Sequence, residues 1–305
     1  MSTRLTGYLF LALAMISVGS TVAVSKIIAA CMLPFSATAL RFAIAFPVFL
    51  VMMRVTRTPW PRPNRRDCVI LLLQAGAGSV GYTVLLIAGM QFASGADAGV
   101  ITGMMPVVAS MMAFLLLGER PSLSLVCAII LCTLGAFAIT LGVDSTGLHF
   151  SSHSLLGNAL VFAAVVCEGF FILLNKRLDR PIAPLPLSML MTGIGFCLTI
   201  VPAIFEWRCV LGASTAALSG VAYYALIPTV AGFLLWYAGT ERVSGAEASL
   251  FTACAPVSAL VFAAGLLGEH IGAAQMKGMV CIVVAICLVA WRGKSVRRPA
   301  LSLNP

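Results

Sequence analysis

The chain has 305 residues, a hydrophobic fraction of 61%, a charged fraction of 10% and a mean hydropathy of +1.06. A water-soluble domain needs more surface charge than this and could not hide so much apolar area, so a soluble enzyme or binding module is excluded. The formal net charge of +9 does not point to nucleic acid, because the cations sit in short segments between apolar runs and not on one polar face.

A helix crosses about 30 Å of hydrocarbon with about 20 apolar residues. That rule predicts ten spans, at 7–28, 35–54, 68–91, 97–117, 123–142, 155–175, 185–205, 217–238, 246–267 and 271–291. Backbone groups in lipid must bond within their own segment, which favours helices, and no alternating segments of a β-barrel are visible. The first span follows Arg4 and runs to Ile28, longer than the core of a signal peptide, so it is read as a membrane span. Arg41 stands a few residues inside the second span, from where a long side chain can snorkel outward. Lys26, Lys176 and Lys277 stand near span ends and can do the same.

The third span carries Gln74, Gly78, Gly81 and Tyr82 on one helical face, which either lines a cavity or packs on another helix. The fourth and ninth spans carry Pro106 and Pro256 at mid-length. Proline lacks an N–H, so the carbonyls of Thr102 and Thr252, four residues earlier, lose their partners. The outcome is either a packing kink satisfied by the threonine hydroxyls or a gating hinge. Glu119 and Glu269 close these two spans, where a negative charge opposes the helix dipole. Their repetition suggests a structural turn or an ion pair that locks one face.

Glu168 lies about 13 residues into the sixth span, about 20 Å along the helix at 1.5 Å per residue. A carboxylate at that depth is costly and faces a cavity or a partner. It could carry a proton or bind a cationic group; the plain alternative is a protonated carboxyl bonded to a neighbouring helix. The eighth span carries Thr229, Trp236 and Thr240 on one face. Trp236 and Tyr237 stand near a helix end, where an interfacial aromatic belt is the default, and Tyr223 and Tyr224 have the same reading at the other end. His149 and His153 fall in the loop before the sixth span. Ten cysteines are present without CxxC or Cys/His ligand spacing, so they read as small apolar packing residues, and no metal is expected. No Walker A, HExxH or GxSxG motif occurs, so no cofactor, ATP hydrolysis or enzymatic chemistry is expected.

With the N-terminus inside, 15 of the 19 Lys and Arg fall on one side of the ten spans, and the loop 143–154 has neither residue. The positive-inside rule then places both termini in the cytoplasm.

The chain also repeats itself. Residues 94–120 and 244–270 align without a gap at an offset of 150, with 13 of 27 positions identical, including Thr102 with Thr252, Pro106 with Pro256 and Gly118-Glu119 with Gly268-Glu269. The same offset carries Gly7 to Gly157, Lys26 to Lys176 and Pro34 to Pro184. A unit of five spans is odd, so two copies in one chain face opposite ways across the bilayer. Inverted repeats of this kind occur in alternating-access transporters, with the cargo site between the halves.

Two five-span units, each ending its fourth helix with Pro and then LLLGE or LLGE, resemble the EamA-type transporters of the drug/metabolite transporter superfamily. Lys26 after Val18-Gly19-Ser20, Arg41-Phe42, and Ala88-Gly89-Met90-Gln91 before Ser94 carry the same resemblance, which covers nearly the whole chain. It implies an all-α membrane protein of ten helices as two inverted repeats, 1–146 and 147–305. It implies a central cavity lined by helices 1, 3, 4, 6, 8 and 9, and export or exchange of small metabolites, often amino acids or their derivatives, across the inner membrane. Proton coupling and a homodimer are open under it, as are an uncoupled facilitator and an exporter of cationic drugs. The chain departs from the family at Val18 and Glu168, where an aromatic residue, often Trp, is usual.

Overall fold

The computed structural model describes residues 3–105, 107–108, 111–112, 123, 126–127, 130–131, 134, 143–144, 147–148, 152–175, 177–179, 182–243, 251 and 254–293. Helices dominate. They are α1 (Thr3–Ala29), α2 (Pro34–Val55), α3 (Arg65–Gln74) and α4 (Tyr82–Gly89) joined by the π-helical segment π1 (Ala75–Gly81), and α5 (Gly95–Thr102). After a two-residue strand pair, β1 (Val143–Asp144) with β2 (Gly147–Leu148), come α6 (Ser152–Asn175), α7 (Pro184–Phe205) and the short α8 (Trp207–Leu211). Next are α9 (Thr215–Tyr224) and α10 (Gly232–Thr240), joined by π2 (Ala225–Ala231), then α11 (Cys254–Leu267) and α12 (Ala273–Gly293).

Among the described residues, six helical runs are long and apolar enough to cross a membrane: 4–29, 34–55, 65–89, 153–171, 184–205 and 215–240. They match the predicted first, second, third, sixth, seventh and eighth spans. Most of the fifth span and parts of the fourth and ninth lie outside the described residues, so the expected count of ten is not established by the structure.

Local sequence explains the helix starts. Pro34 and Pro184 open α2 and α7 in the first turn, where a missing N–H costs nothing. Asn64 caps α3 by accepting from Asp67 N at 2.6 Å, and Ser214 caps α9 by accepting from Ala217 N at 3.2 Å. These positions are 150 apart, and so are the starts of α2 and α7, π1 and π2, and α4 and α10.

The contacts repeat in the same way. A methyl group at Gly89 would fall 2.9 Å from Val161 Cγ2 and 3.0 Å from Gly157 O, so α4 rides on the start of α6. A methyl group at Gly239 would fall 2.7 Å from Leu11 Cγ and 3.2 Å from Gly7 O, so α10 rides on the start of α1. Exchanging the units by 150 residues turns one set of contacts into the other. In lipid no hydrophobic force drives helices together, and small residues that let backbones approach supply the packing energy.

α2 and its counterpart α7 pack against each other. Gly195 meets the Phe42 ring and Gly193 meets the Phe46 ring, so as one chain advances the other retreats and the two run antiparallel. The buried core follows these seams: Val22, Leu86, Met90, Val161, Val165 and Leu260 belong to one cluster, and Phe49, Met53 and Met189 to another.

Candidate functional site

Two polar clusters stand out in this apolar bundle. The first lies where α2, π1, α6 and the end of α9 meet. Arg41 does not snorkel: it is only 8% exposed, and its Nη2 donates to Ser79 O in π1 at 3.0 Å. Its guanidinium carbon sits 4.4 Å from the centre of the Phe42 ring and 4.8 Å from that of Tyr224. The reason is geometric. Arg41 is seven residues into α2, two turns below the helix start, and faces the protein rather than lipid. Two aromatic faces and the Ser79 carbonyl, which also accepts from the Thr83 hydroxyl, replace the water it gave up.

Glu168 reaches the same region from α6. The glycines of π1 let α6 come close: a methyl group at Gly81 would fall 3.2 Å from Cys167 Sγ, and one at Gly78 would fall 2.3 Å from Phe171 Cβ. Ser79, which accepts from Arg41, lies between those glycines. The Glu168 carboxyl is part-buried, and among the described residues it forms no ion pair with Arg41. The two groups and the Tyr82 hydroxyl act on one another electrostatically, as does Tyr237 on Glu168. Tyr82 faces the hydroxyl of Thr21 on α1. Tyr223 and Ser20 share a hydrogen bond of 2.9 Å. Tyr224 is 3% exposed. The aromatic-belt reading of Tyr223 and Tyr224 is therefore corrected: both turn into the bundle, and one of them packs on a charge that a belt residue would never meet.

Gln74 is fully buried, and neither its amide nitrogen nor its oxygen has a partner among the described residues; Arg41 Nε is likewise unpartnered. An unsatisfied buried amide costs about 1–3 kcal/mol. The expected face of the third span thus divides its work. Gly78 and Gly81 pack on α6, and Tyr82 joins the charged cluster.

π2 has a visible cause. Pro228 cannot donate to Tyr224 O four residues earlier, and the Thr229 hydroxyl takes that carbonyl at 2.9 Å. Thr229 is therefore committed to its own helix. The proline logic expected for the fourth and ninth spans operates in the eighth, where Pro228 had gone unremarked. Of the expected pair on the fourth span, Thr102 ends α5 and donates to Gly99 O at 2.9 Å, while Pro106 lies outside the described residues. On the ninth, Pro256 is buried two residues into α11, and Thr252 lies outside the described residues. Trp236 is part-buried on α10.

The second cluster is at one end of the bundle. Gly268 takes a positive φ of 67°, ending α11, and the chain turns so that the Glu269 N–H returns to Ala263 O at 3.2 Å. The Glu269 carboxylate then accepts from Gly95 N at 2.9 Å and Ala96 N at 2.8 Å, the two leading amides of α5. The charge that opposed the dipole of its own helix serves the positive end of another. Glu269 is thus a structural tie between the fourth and ninth spans and, among the described residues, forms no ion pair; Glu119 lies outside the described residues. Nearby, Lys26 Nζ donates to Ala93 O at 2.6 Å and Gln275 Nε2 to Asp97 Oδ1 at 2.8 Å. These groups, with Ser154 and His270, line a cavity of about 490 Å³. His153 is in the first turn of α6 rather than in a loop, with its ring 6.1 Å from that of Phe92. At the opposite end Arg66 pairs with Asp179, which also accepts from Asn64 Nδ2 at 2.9 Å.

A model of the EamA-like transporter family matches residues 5–141 and again residues 155–291, two segments 150 residues apart at both ends. The chain belongs to that family. Among EamA-like relatives it is 31% identical to the uncharacterized transporter YetK of Bacillus subtilis, over 95% of this chain and 88% of the relative. It is 26% identical to a probable terminal-alkyne amino-acid exporter of Streptantibioticus cattleyicolor, over 78% of each. A solved crystal structure shares the fold at a TM-score of 0.60 and 20% identity, covering 97% of this chain and 99% of that one. The chain is thus a multi-pass membrane protein of a transporter family. Glu168 is a member of the first cluster that the sequence exposed. Arg41 and Tyr224 are members of this buried cluster that the sequence hid, because an arginine near a helix end and a tyrosine near an interface each have a commoner explanation.

Proposed function

We propose that this protein is a secondary transporter that exports or exchanges small metabolites, amino acids or their derivatives, across the inner membrane by alternating access. Units 1–146 and 147–305 form ten spans of inverted orientation with both termini cytoplasmic, and the two units rock about a site between them. The observation that carries this reading is the buried polar cluster in a membrane bundle: Glu168, Arg41, Tyr82 and Tyr224 meet between the repeats. Charges so deep are costly and persist where a solute or ion uses them. The exporter of an amino acid among the relatives supports the cargo class.

Glu168 is the ionisable centre that would carry a proton, with Gln74 and Tyr82 as polar contacts. Thr102, Thr252, Thr229 and Trp236 flank the path. Pro106 and Pro256 give the broken-helix elements, and Glu119 and Glu269 the structural ends. Uptake into inverted vesicles tests the reading. Glu168→Gln should insert normally and lose the pH dependence of uptake; a mutant that keeps it removes Glu168 from coupling. An uncoupled facilitator of the same fold would show counterflow that ignores an imposed pH gradient.

A further inference from the structure

The transport reading assigns a carboxylate to the site but leaves Arg41 without a task, and the geometry asks for one. Arg41 is buried in α2, with aromatic rings of Phe42 and Tyr224 stacked against its guanidinium. Nη2 donates to Ser79 O and the guanidinium also bonds the Tyr224 side chain, while Nε has no partner among the described residues. A guanidinium brought this far out of water would ordinarily be paired with a carboxylate in a bidentate contact. The available carboxylate, Glu168, is held across π1 and does not close on it. Both are fixed against π1: α6 rests on Gly78 and Gly81, and Arg41 is tied to Ser79 between them.

Among the described residues, the other polar groups of this cluster carry no charge to balance either pole: the hydroxyls of Thr21, Tyr82 and Tyr224, with Ser20 and Tyr223 bonded to each other nearby. Among the described residues the cluster thus holds one cation and one carboxylate, with a summed charge of zero when both are ionised. A cargo with one anionic and one cationic end neutralises both at once. A purely cationic cargo would satisfy Glu168 and face Arg41 with like charge, which is costly in a low-dielectric interior.

Resting on the transport reading above, we propose that Arg41 anchors the carboxylate of a zwitterionic cargo whose ammonium faces Glu168, so that the site selects α-amino acids over amines and over acylated amino acids. Ser79 and the Tyr224 ring fix the guanidinium in place, and Nε is the donor left for the carboxylate. Arg41 is in this sense a specificity-determining residue, and a lysine, which lacks the planar fork, replaces it only in part.

The test uses the full-length protein in proteoliposomes and three sets of probes: the protein amino acids, the amines left on removing their carboxylates, and their N-acetyl derivatives. Competition against counterflow of the best-transported amino acid gives an apparent affinity for each. The wild type should prefer the amino acid to both analogues. Arg41→Gln should weaken the amino acid by about tenfold or more and change the amine by less than about twofold, and Arg41→Lys should fall between. Glu168→Gln should show the mirror image, losing the preference over the N-acetyl derivative.

If Arg41 serves only as a counter-charge, Arg41→Gln weakens amine and amino acid alike, and the proposal is overturned. It is overturned equally if wild-type protein carries amines better than amino acids, an outcome that leaves transport itself intact. A wild type that moves none of the probes sinks the amino-acid transport reading together with this one. Should Arg41→Gln fail to fold, the double variant Arg41→Gln/Glu168→Gln removes both poles, and it must lose the preference for zwitterions to uphold the assignment.

Discussion

Removing the Glu269 carboxylate should loosen the join between α11 and α5 by a calculable amount. The carboxylate accepts from Gly95 N and Ala96 N at 2.9 and 2.8 Å. A hydrogen bond to a charged group contributes about 1.5–3 kcal/mol, and a favourable dipole adds a few tenths to about 1 kcal/mol. Two such bonds would set the loss at about 4 kcal/mol or more, but Glu269 is part-exposed and lines the 490 Å³ cavity, so water can reach the orphaned amides. The Ser94 cap on Asp97 N also remains. Glu269→Ala should therefore cost about 2 kcal/mol, and Glu269→Gln, which keeps one acceptor oxygen, about 1 kcal/mol. For a chain of this size each kcal/mol lowers the apparent melting temperature by about 2 °C, so the alanine variant should melt about 4 °C lower in detergent. Ser94→Ala, which removes one cap of about 1 kcal/mol, is the internal standard. If Glu269→Ala melts with the wild type while Ser94→Ala does not, the tie between the fourth and ninth spans contributes nothing and its placement here is wrong.

Gly157→Ala should destabilise by about 1–3 kcal/mol, because the new methyl would stand 2.5 Å from Ala93 N and 2.8 Å from Phe92 C, backbone atoms that cannot turn aside. Gly265→Ala meets nothing within 4 Å and should be neutral or stabilising by up to about 1 kcal/mol in the same melting assay. Thr229→Val should cost about 1 kcal/mol by leaving Tyr224 O short of a donor, and adding Pro228→Ala should recover most of it by restoring an N–H; independent effects in a double-mutant cycle would refute this origin of π2. Cysteines at 145 and 295, introduced singly, should label from opposite faces of the membrane, and labelling from one face would end the inverted-repeat reading.

The sequence by itself determined the solvent, the periodicity and the duplication. Twenty-residue apolar runs between cation-bearing breaks can only be membrane helices, and the runs at 35–54, 155–175 and 185–205 agree with the helices within three residues. The offset of 150 returned in the caps Asn64 and Ser214 and in the reciprocal glycine contacts, local consequences of like residues at that spacing, and in both π segments, although Gly78 stands where π2 has Pro228. Glu168 was legible as well, since a carboxylate in mid-span has few innocent explanations.

What only the tertiary structure decided is where side chains with two acceptable destinations go. Arg41 can reach water or turn inward, and the choice was made by Tyr224 and Ser79, far from it in the chain. Glu269 looked misplaced at the end of its own helix until α5, from the other repeat, put its amides within reach. Periodicity reports which face of a helix is apolar, but in lipid both faces are, so the facing partner is set by packing alone.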